Sequence, residues 1–557
     1  MPGQNADGAG RSDPWTSPTA AVGLLIALAV PLYFVKLGAA GLVDPDEPYY
    51  AVPALEMLKS GTWSVPIFRG QPWFDKPVLF YWMILAAYKA FGVSEWAARL
   101  GSALAGLGGA VALATLSPSG WRRGGAHVLA AIVLATSLEY ALLSRSAVTD
   151  MTLTLLLTLG FLAVARHLES GGRLSAFSAG AAFGLAALTK GPVGVIVPAV
   201  ALAGYGLATR RRELLAPPTL AAATLGFAAT AIPWYAYMMA AHRDLVVKVF
   251  LGEGNLGRFV NPEHRQFPLF YVAVLAAGLL PWSAALPAGL ARAIRAARDG
   301  DDRPGASPGP VFALAWFAAV IGVFSLSASK LVTYILPAFP AAAFLIADYW
   351  CHALAPRRAG ERVPLGPLAV AATGAAISVA AAGAILVLAR GGRFAGAGAA
   401  LYGLAAVLTA AALAALVAVR VGRLAVFAAV QAASTVAVVL VFVVFAWPGL
   451  EASESTKTLV RRLEAGGLAA DVAGAYRVPD VSLDFYLGRA LARETDAGGL
   501  ARHVSSDPGR LWVVRADEVE TLAARDALTL VRVMTVSRRA VVRLSPPGPE
   551  GGRKDGS

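Results

Sequence analysis

Long apolar runs alternate with short polar loops along most of the chain. Runs near 19–42, 97–116, 125–143, 150–166, 175–188, 191–208, 218–240, 269–291, 311–327, 331–350, 365–389, 399–419 and 424–447 approach or exceed the length a helix needs to cross a bilayer. A helix rises about 1.5 Å per residue and the hydrocarbon core is about 30 Å thick. The pattern predicts about thirteen transmembrane helices. Alanine and glycine abound in them, as expected where helices pack closely in lipid. Two polar segments, 43–96 and 241–268, interrupt the series. In the first, Tyr50–Ser60 and Val78–Phe91 are amphipathic and short, which predicts helices lying in the membrane interface. After Trp447 the pattern changes: Thr456–Gly466 has helical spacing, Asp471–Tyr476 and Arg510–Arg515 read as strands, and Leu528–Leu544 reads as a hairpin turning at Ser537-Arg538. The expected organisation is a polar tail over 1–18, a transmembrane domain over 19–447 and a small extramembrane α/β domain over 448–557, in a mainly α membrane protein.

Only 15% of the 557 residues are charged, where a soluble domain carries about 25%. The net charge of +13 need not mean a nucleic-acid partner, and none is expected, because the arginines cluster in short loops. Arg122, Arg123, Arg173, Arg210, Arg211, Arg212, Arg292, Arg295, Arg298, Arg303, Arg357, Arg358, Arg362, Arg420 and Arg423 fall on one side of the predicted series. The short loops of the opposite side hold only Arg145, Lys190, Lys330, Arg390 and Arg393. The positive-inside rule then places the N-terminus in the cytoplasm and both long polar segments outside. An odd number of spans puts the C-terminal domain outside as well. The first run is too long for a signal-peptide core and reads as an uncleaved span. Cys351 is the single cysteine, so no intramolecular disulfide forms.

Six segments carry chemistry. In LVDPDEPYYA, Asp44, Asp46 and Glu47 crowd three carboxylates where the first span leaves the membrane. One of them can orient an acceptor or take its proton, with Tyr50 in support; the plain alternative is a solvated loop capping the next helix. In WFDKP, Asp75 and Lys76 are adjacent, and an extended backbone would point them to opposite sides, one toward a metal or polar group and one toward an anion. A lysine snorkelling to lipid phosphate is the plain reading. Asp150 opens the fourth span, where ordinary dipole stabilisation is also a sufficient reason. Lys190, before Gly191-Pro192, needs an anion or an escape to the surface. Lys330 and Tyr334 are spaced i,i+4, and on one helical face a charge and a hydroxyl can hold a phosphate or simply anchor to headgroups. Arg258, Glu263, His264 and Arg265 lie in the second outer segment without metal-binding spacing of their own. The inferred topology puts all these groups on the outer side.

Together the segments DPDEPYYA, GTWSVPIFRGQPWFDKPVLFYW, FGVSEWAARL, SRSAVTDM, LTKGPVG and SKLVTYILP resemble, in order and spacing, the membrane glycosyltransferases of the GT-C fold. The branch is that of bacterial aminoarabinose (lipid A) transferases and protein mannosyltransferase-like enzymes, and the resemblance runs from about Leu24 to Tyr349. It implies transfer of a sugar from a polyprenyl (undecaprenyl) phosphate to a lipid A-like lipid, a glycan or a protein, at the periplasmic face of the bacterial inner membrane. It implies no nucleotide cofactor. By this resemblance Asp46 is the essential loop carboxylate and Asp150 the second acidic position. Lys76 meets the carrier phosphate with Tyr334 nearby, Lys190 is the lysine after the fifth span, and Arg258 or Arg265 is the phosphate-binding arginine. Asp75 and His264 match a divalent-metal pair. The chain departs from the family at Tyr49, where arginine is frequent, and at Asp75, where glutamate is, so close identity with the aminoarabinose transferases is not expected. A transporter or flippase of a lipid-linked anion could use the same outer cations. It should also carry mid-membrane polar groups and near-symmetric halves, and neither is read here.

Overall fold

The computed structural model describes residues 18–257, 265–355, 361–390, 397–524 and 528–546. The chain is a multi-pass membrane protein. Among the described residues six helices are long and apolar enough to cross a bilayer: Glu95–Leu116, Thr149–Ser170, Val332–Ala353, Leu365–Arg390, Gly398–Arg420 and Leu424–Gly449. Other apolar runs are broken or short, so runs and helices do not correspond one to one. The run at 125–143 divides into Ala126–Ala135 and Leu138–Leu143. Between them the Thr136 and Ser137 hydroxyls donate to the carbonyls of Ile132 and Val133, competing with the helical ladder. The run at 269–291 becomes Phe270–Gly278 and Leu286–Asp299 around Pro281, which has no N–H to continue a helix. Small residues set the closest approach: a methyl at Gly180 would lie 1.8 Å from the Ala223 carbonyl oxygen, so the Arg173–Lys190 and Pro217–Asp244 helices touch through backbone.

The polar segment 43–96 folds into helices Pro48–Ser60 and Leu79–Phe91, joined through the short pair Ile67–Phe68 and Gln71–Pro72. The two helices bury aromatic faces on each other. The Tyr50 ring meets Phe80 edge-on at 5.3 Å and Tyr81 at 5.9 Å. Together with Met57, Leu85 and Tyr88 they form an apolar cluster separate from that of the bundle.

A buried ion pair ties this layer to the bundle. Glu47 and Arg99 have side chains 3% exposed, with Arg99 Nη2 2.6 Å from Glu47 Oε2 and Nε 2.7 Å from Oε1. Arg99 also donates to the carbonyls of Leu37, Ala40 and Gly41, and Glu47 accepts the backbone N–H groups of Val43 and Ala147. The end of the first span, the DPDE turn, the fourth helical segment and the loop before Thr149 thus meet on two side chains. Breaking a buried pair by deleting one partner typically costs about 3–5 kcal/mol. Arg99→Ala should therefore lower the melting temperature of the purified protein markedly; an unchanged melting temperature would refute the anchoring role.

Residues 456–546 build around a five-stranded sheet in the order Ala492–Glu494, Val472–Tyr476, Leu511–Arg515, Arg539–Ser545, Thr529–Val536. The first three strands are parallel; Arg539–Ser545 pairs antiparallel with Leu511–Arg515 and forms the hairpin with Thr529–Val536. The short strand Ala492–Glu494 carries no alternation that would announce it. The domain seats on the DPDE loop. Tyr486 Oη accepts the Leu42 N–H at 2.7 Å, Glu451 accepts the Gly41 N–H, Lys457 pairs with Glu95 at 2.7 Å, and Arg69 pairs with Asp484 at 2.8 Å. Asp44 accepts from the N–H and hydroxyl of Ser482, with the Thr456 hydroxyl at 3.4 Å.

Burial, and then the nearby Asp480 carboxylate, push the Asp44 carboxyl up to about 6. The folded state then holds this proton more tightly than the unfolded state does. Its favourable contribution is full below about pH 4 and is lost as pH rises through 6. Asp44→Asn should remove that loss, making the variant more stable relative to wild type at pH 8 than at pH 4 by on the order of 2 kcal/mol. Denaturation curves at the two pH values test this, and a pH-independent difference would contradict it.

Candidate active site

The DPDE turn precedes helix Pro48–Ser60, and the Glu47 anchor leaves Asp46 at the surface of that turn. One helical turn on, Tyr50 is buried. Its hydroxyl is held well above the ordinary tyrosine range by burial first, then by the charges of Asp75 and Asp150, with Asp46 adding to them. The neighbouring Thr149 hydroxyl opposes the shift. The tyrosine thus sits, as a neutral hydroxyl, in the shared field of three carboxylates from three segments far apart in sequence.

Asp150, in the first turn of Thr149–Ser170, has its carboxylate 2.6 Å from Lys190 Nζ, the last residue of Arg173–Lys190. Both side chains are nearly buried. The helix ends there because Gly191 adopts φ +71 and Pro192 follows. The Lys190 ammonium also lies 4.7 Å from the centre of the Tyr334 ring. The anion that Lys190 requires is therefore Asp150, and Tyr334 closes the other side.

Two local geometries differ from the sequence expectation. The backbone bends at Asp75–Lys76, so the two side chains do not diverge: Lys76 Nζ folds back to 2.8 Å from Asp75 Oδ2 and 3.2 Å from the Asp75 carbonyl. Lys330 and Tyr334 do not share an α-helical face, because Leu331 is extended and a 3-10 helix begins at Val332. Lys330 Nζ donates to the Ser327 carbonyl at 2.7 Å, while Tyr334 packs on Phe324 and under Lys190. Arg265 is exposed. Arg258 and His264 lie outside the described residues. The pairing of Asp75 with His264 is therefore not visible, and among the described residues no group of three or more His, Cys, Asp or Glu side chains is placed to hold a metal ion. Sequence reading assigned no role to Arg99, although a charged residue inside an apolar run is itself a signal that a partner exists. The same signal marks Glu139, which is buried in the run at 125–143.

Comparison with known proteins follows this geometry. Residues 20–246 match the family model described as dolichyl-phosphate-mannose-protein mannosyltransferase. An undecaprenyl phosphate-alpha-4-amino-4-deoxy-L-arabinose arabinosyl transferase of Erwinia tasmaniensis is 32% identical over 336 residues, 58% of this chain and 59% of that protein. The Pseudomonas aeruginosa protein of the same name is 32% identical over 350 residues, 61% of each chain. The match thus spans about three fifths of the length of these relatives. The crystal structure of ArnT from Cupriavidus metallidurans bound to undecaprenyl phosphate superposes with a TM-score of 0.73 at 24% identity, covering 96% of this chain and 100% of that one. The chain has the GT-C fold. The family resemblance drawn from the motifs holds, and identities near one third agree with a relative that is not a near copy.

In this GT-C chain the Asp150–Lys190 pair can be tested apart from catalysis. Lys190→Met should leave a buried carboxylate unpaired and lower stability by about 3–5 kcal/mol. Lys190→Met with Asp150→Leu should recover most of that loss, since an apolar pair can replace a buried ion pair. Equal stability of single and double variants would show that the pair carries no coupling.

Proposed function

We propose that the chain is a glycosyltransferase that moves a pentosyl or hexosyl group from a polyprenyl phosphate to a lipid, glycan or protein acceptor of the cell envelope. The observation that carries this reading is the convergence of Asp46, Asp75 and Asp150 on Tyr50, with Lys76, Lys190 and Tyr334 paired into the same end of the bundle. Relatives named as undecaprenyl phosphate-dependent arabinosyl transferases support it, as does a neighbour structure holding undecaprenyl phosphate. The loop arginines support a bacterial inner-membrane orientation with the N-terminus cytoplasmic and both this site and the C-terminal domain in the periplasm.

In the proposed reaction the bond between the anomeric carbon and the carrier phosphate breaks, and its electron pair leaves with the phosphate oxygen. Lys76, with Lys330 and the arginines at 258 and 265 as further candidates, stabilises the charge that gathers there. Lys190, already neutralised by Asp150, holds Tyr334 in place beside it. The acceptor oxygen forms the new bond to the anomeric carbon and its proton passes to Asp46. An acceptor that is already an ionised phosphate needs no base, and Asp46 then only orients it. The carrier supplies the activated sugar, so no nucleotide takes part. Asp75, which also accepts from Lys76, would be a donor to the divalent metal that the resemblance implies.

Sugar transfer by purified protein, from a pool of polyprenyl phosphate sugars to an envelope extract, tests the proposal. Asp46→Asn should slow transfer at least about 100-fold while carrier binding and melting temperature stay near wild type. A normal rate in that variant would remove Asp46 from the mechanism. Movement of the carrier across a bilayer without sugar transfer would favour the transporter reading.

A further inference from the structure

The C-terminal sheet contains a crevice that the transfer reaction does not use. From the strand Val472–Tyr476 the chain runs to Ala492–Glu494 on one side, then crosses back to place Leu511–Arg515 on the other. The order of parallel strands therefore reverses between Val472–Tyr476 and Leu511–Arg515. The loops leaving their carboxyl ends depart in opposite directions, and at such a point an open α/β sheet forms a ligand crevice. A cavity of about 610 Å³ lies there, lined by Pro479 and Asp480 after the first strand, Arg515 and Asp517 at the second, and Arg538 and Arg539 of the hairpin turn.

The lining alternates donors and acceptors. Arg515 is held bidentately by Asp517 at 2.6 and 3.0 Å, but both side chains are more than half exposed, so the pair is weak and opens at little cost. Arg539 pairs with Asp480 at the buried end of the crevice. The Arg538 guanidinium is exposed and has no partner among the described residues, while its carbonyl is fixed by the Ala516 N–H at 2.8 Å. Three guanidinium groups against two carboxylates leave one positive charge unanswered. Carboxylates next to guanidinium groups suit hydroxyls, which both donate and accept; the surplus cation suits one negative group. Among the described residues no aromatic side chain lines the cavity, so they offer no platform for a nucleobase.

We propose that this crevice binds an anionic saccharide, its charge carried by a phosphate or a carboxylate. The site is distinct from the one around Tyr50 but joined to it. Asp480 Oδ2 accepts from Arg539 and lies 3.5 Å from Thr456 Oγ1, which in turn lies 3.4 Å from Asp44 Oδ2, two residues before Asp46. A ligand that engages Arg539 thereby acts on the carboxylate holding the DPDE turn against the domain.

Titration of the full-length protein in detergent, followed by saturation-transfer NMR and calorimetry, tests this with four probes: glucose 1-phosphate, glucuronate, glucose and inorganic phosphate. At least one charged sugar should bind wild type and Asp46→Asn alike, and at least tenfold more tightly than glucose or inorganic phosphate. Preference between the two charged sugars identifies the anion. Arg538→Ala, a surface change, should weaken that binding tenfold or more without altering the melting temperature, and Arg538→Lys should restore part of it. Undiminished binding in Arg538→Ala, inorganic phosphate binding as tightly as the sugars, or no binding of either charged sugar at millimolar concentration would overturn the proposal. Because the readout is binding and Asp46→Asn is included, it stands or falls apart from transferase activity.

Discussion

A guanidinium inside an apolar bundle is tolerable only if every donor is answered, and this constraint organises the site end of the molecule. Arg99 answers it with the Glu47 carboxylate and three carbonyls at the end of the first span. Because those carbonyls belong to residues 37–41, satisfying the arginine also dictates where the chain emerges and turns. Glu47 spends its remaining capacity on backbone N–H groups on both sides, at Val43 and Ala147. An acidic triplet that would repel itself in isolation is thus divided by environment. Asp44 goes to the C-terminal domain, Glu47 goes to the core, and Asp46 alone stays at the turn surface.

A second buried pair repeats the logic one layer away. Asp150 and Lys190 close on each other at helix ends, where a terminal glycine and proline free the lysine from the ladder. Neutralising the pair internally has a chemical consequence. Neither group carries an uncompensated charge into the apolar surroundings, while the Asp150 carboxylate still acts on the Tyr50 hydroxyl, after Asp75 and ahead of Asp46. The scaffold is rigid where charges are buried and adjustable where they face the surface, which is the division expected of a site that must admit a lipid-linked substrate and a separate acceptor.

Hydropathy made the membrane character, the polar segment 43–96 and the C-terminal hairpin legible, because alternation and long apolar runs report burial directly. The motif residues Asp46, Asp150, Lys190 and Tyr334 were legible as ionisable or hydroxylic groups at costly positions. Their mutual contacts were not: the partner of Lys190 lies forty residues away, and only helix packing through small residues brings it near. Local spacing misled where the backbone was not regular. The i,i+4 relation between Lys330 and Tyr334 assumes an α-helix that Leu331 does not allow, and the divergence of Asp75 and Lys76 assumes an extended chain where there is a bend. Apolar runs and helices fail to correspond for a related reason, since hydroxyls at Thr136 and Ser137 can end a helix without any loss of hydrophobicity.

The extramembrane domain also changes meaning once its contacts are known. Nothing in residues 448–557 reads as catalytic. Yet Tyr486, Glu451, Ser482 and Lys457 hold Leu42, Gly41, Asp44 and Glu95, so the domain forms the outer wall of the same loop that Arg99 holds from within. A short loop between a bilayer and water has few apolar contacts of its own with which to fix a carboxylate. Clamping it from both sides supplies that rigidity. The inner clamp is buried from solvent, whereas the outer one contains a carboxyl that titrates near pH 6 and a crevice open to solvent. Of the two, only the outer clamp can respond to what surrounds the membrane.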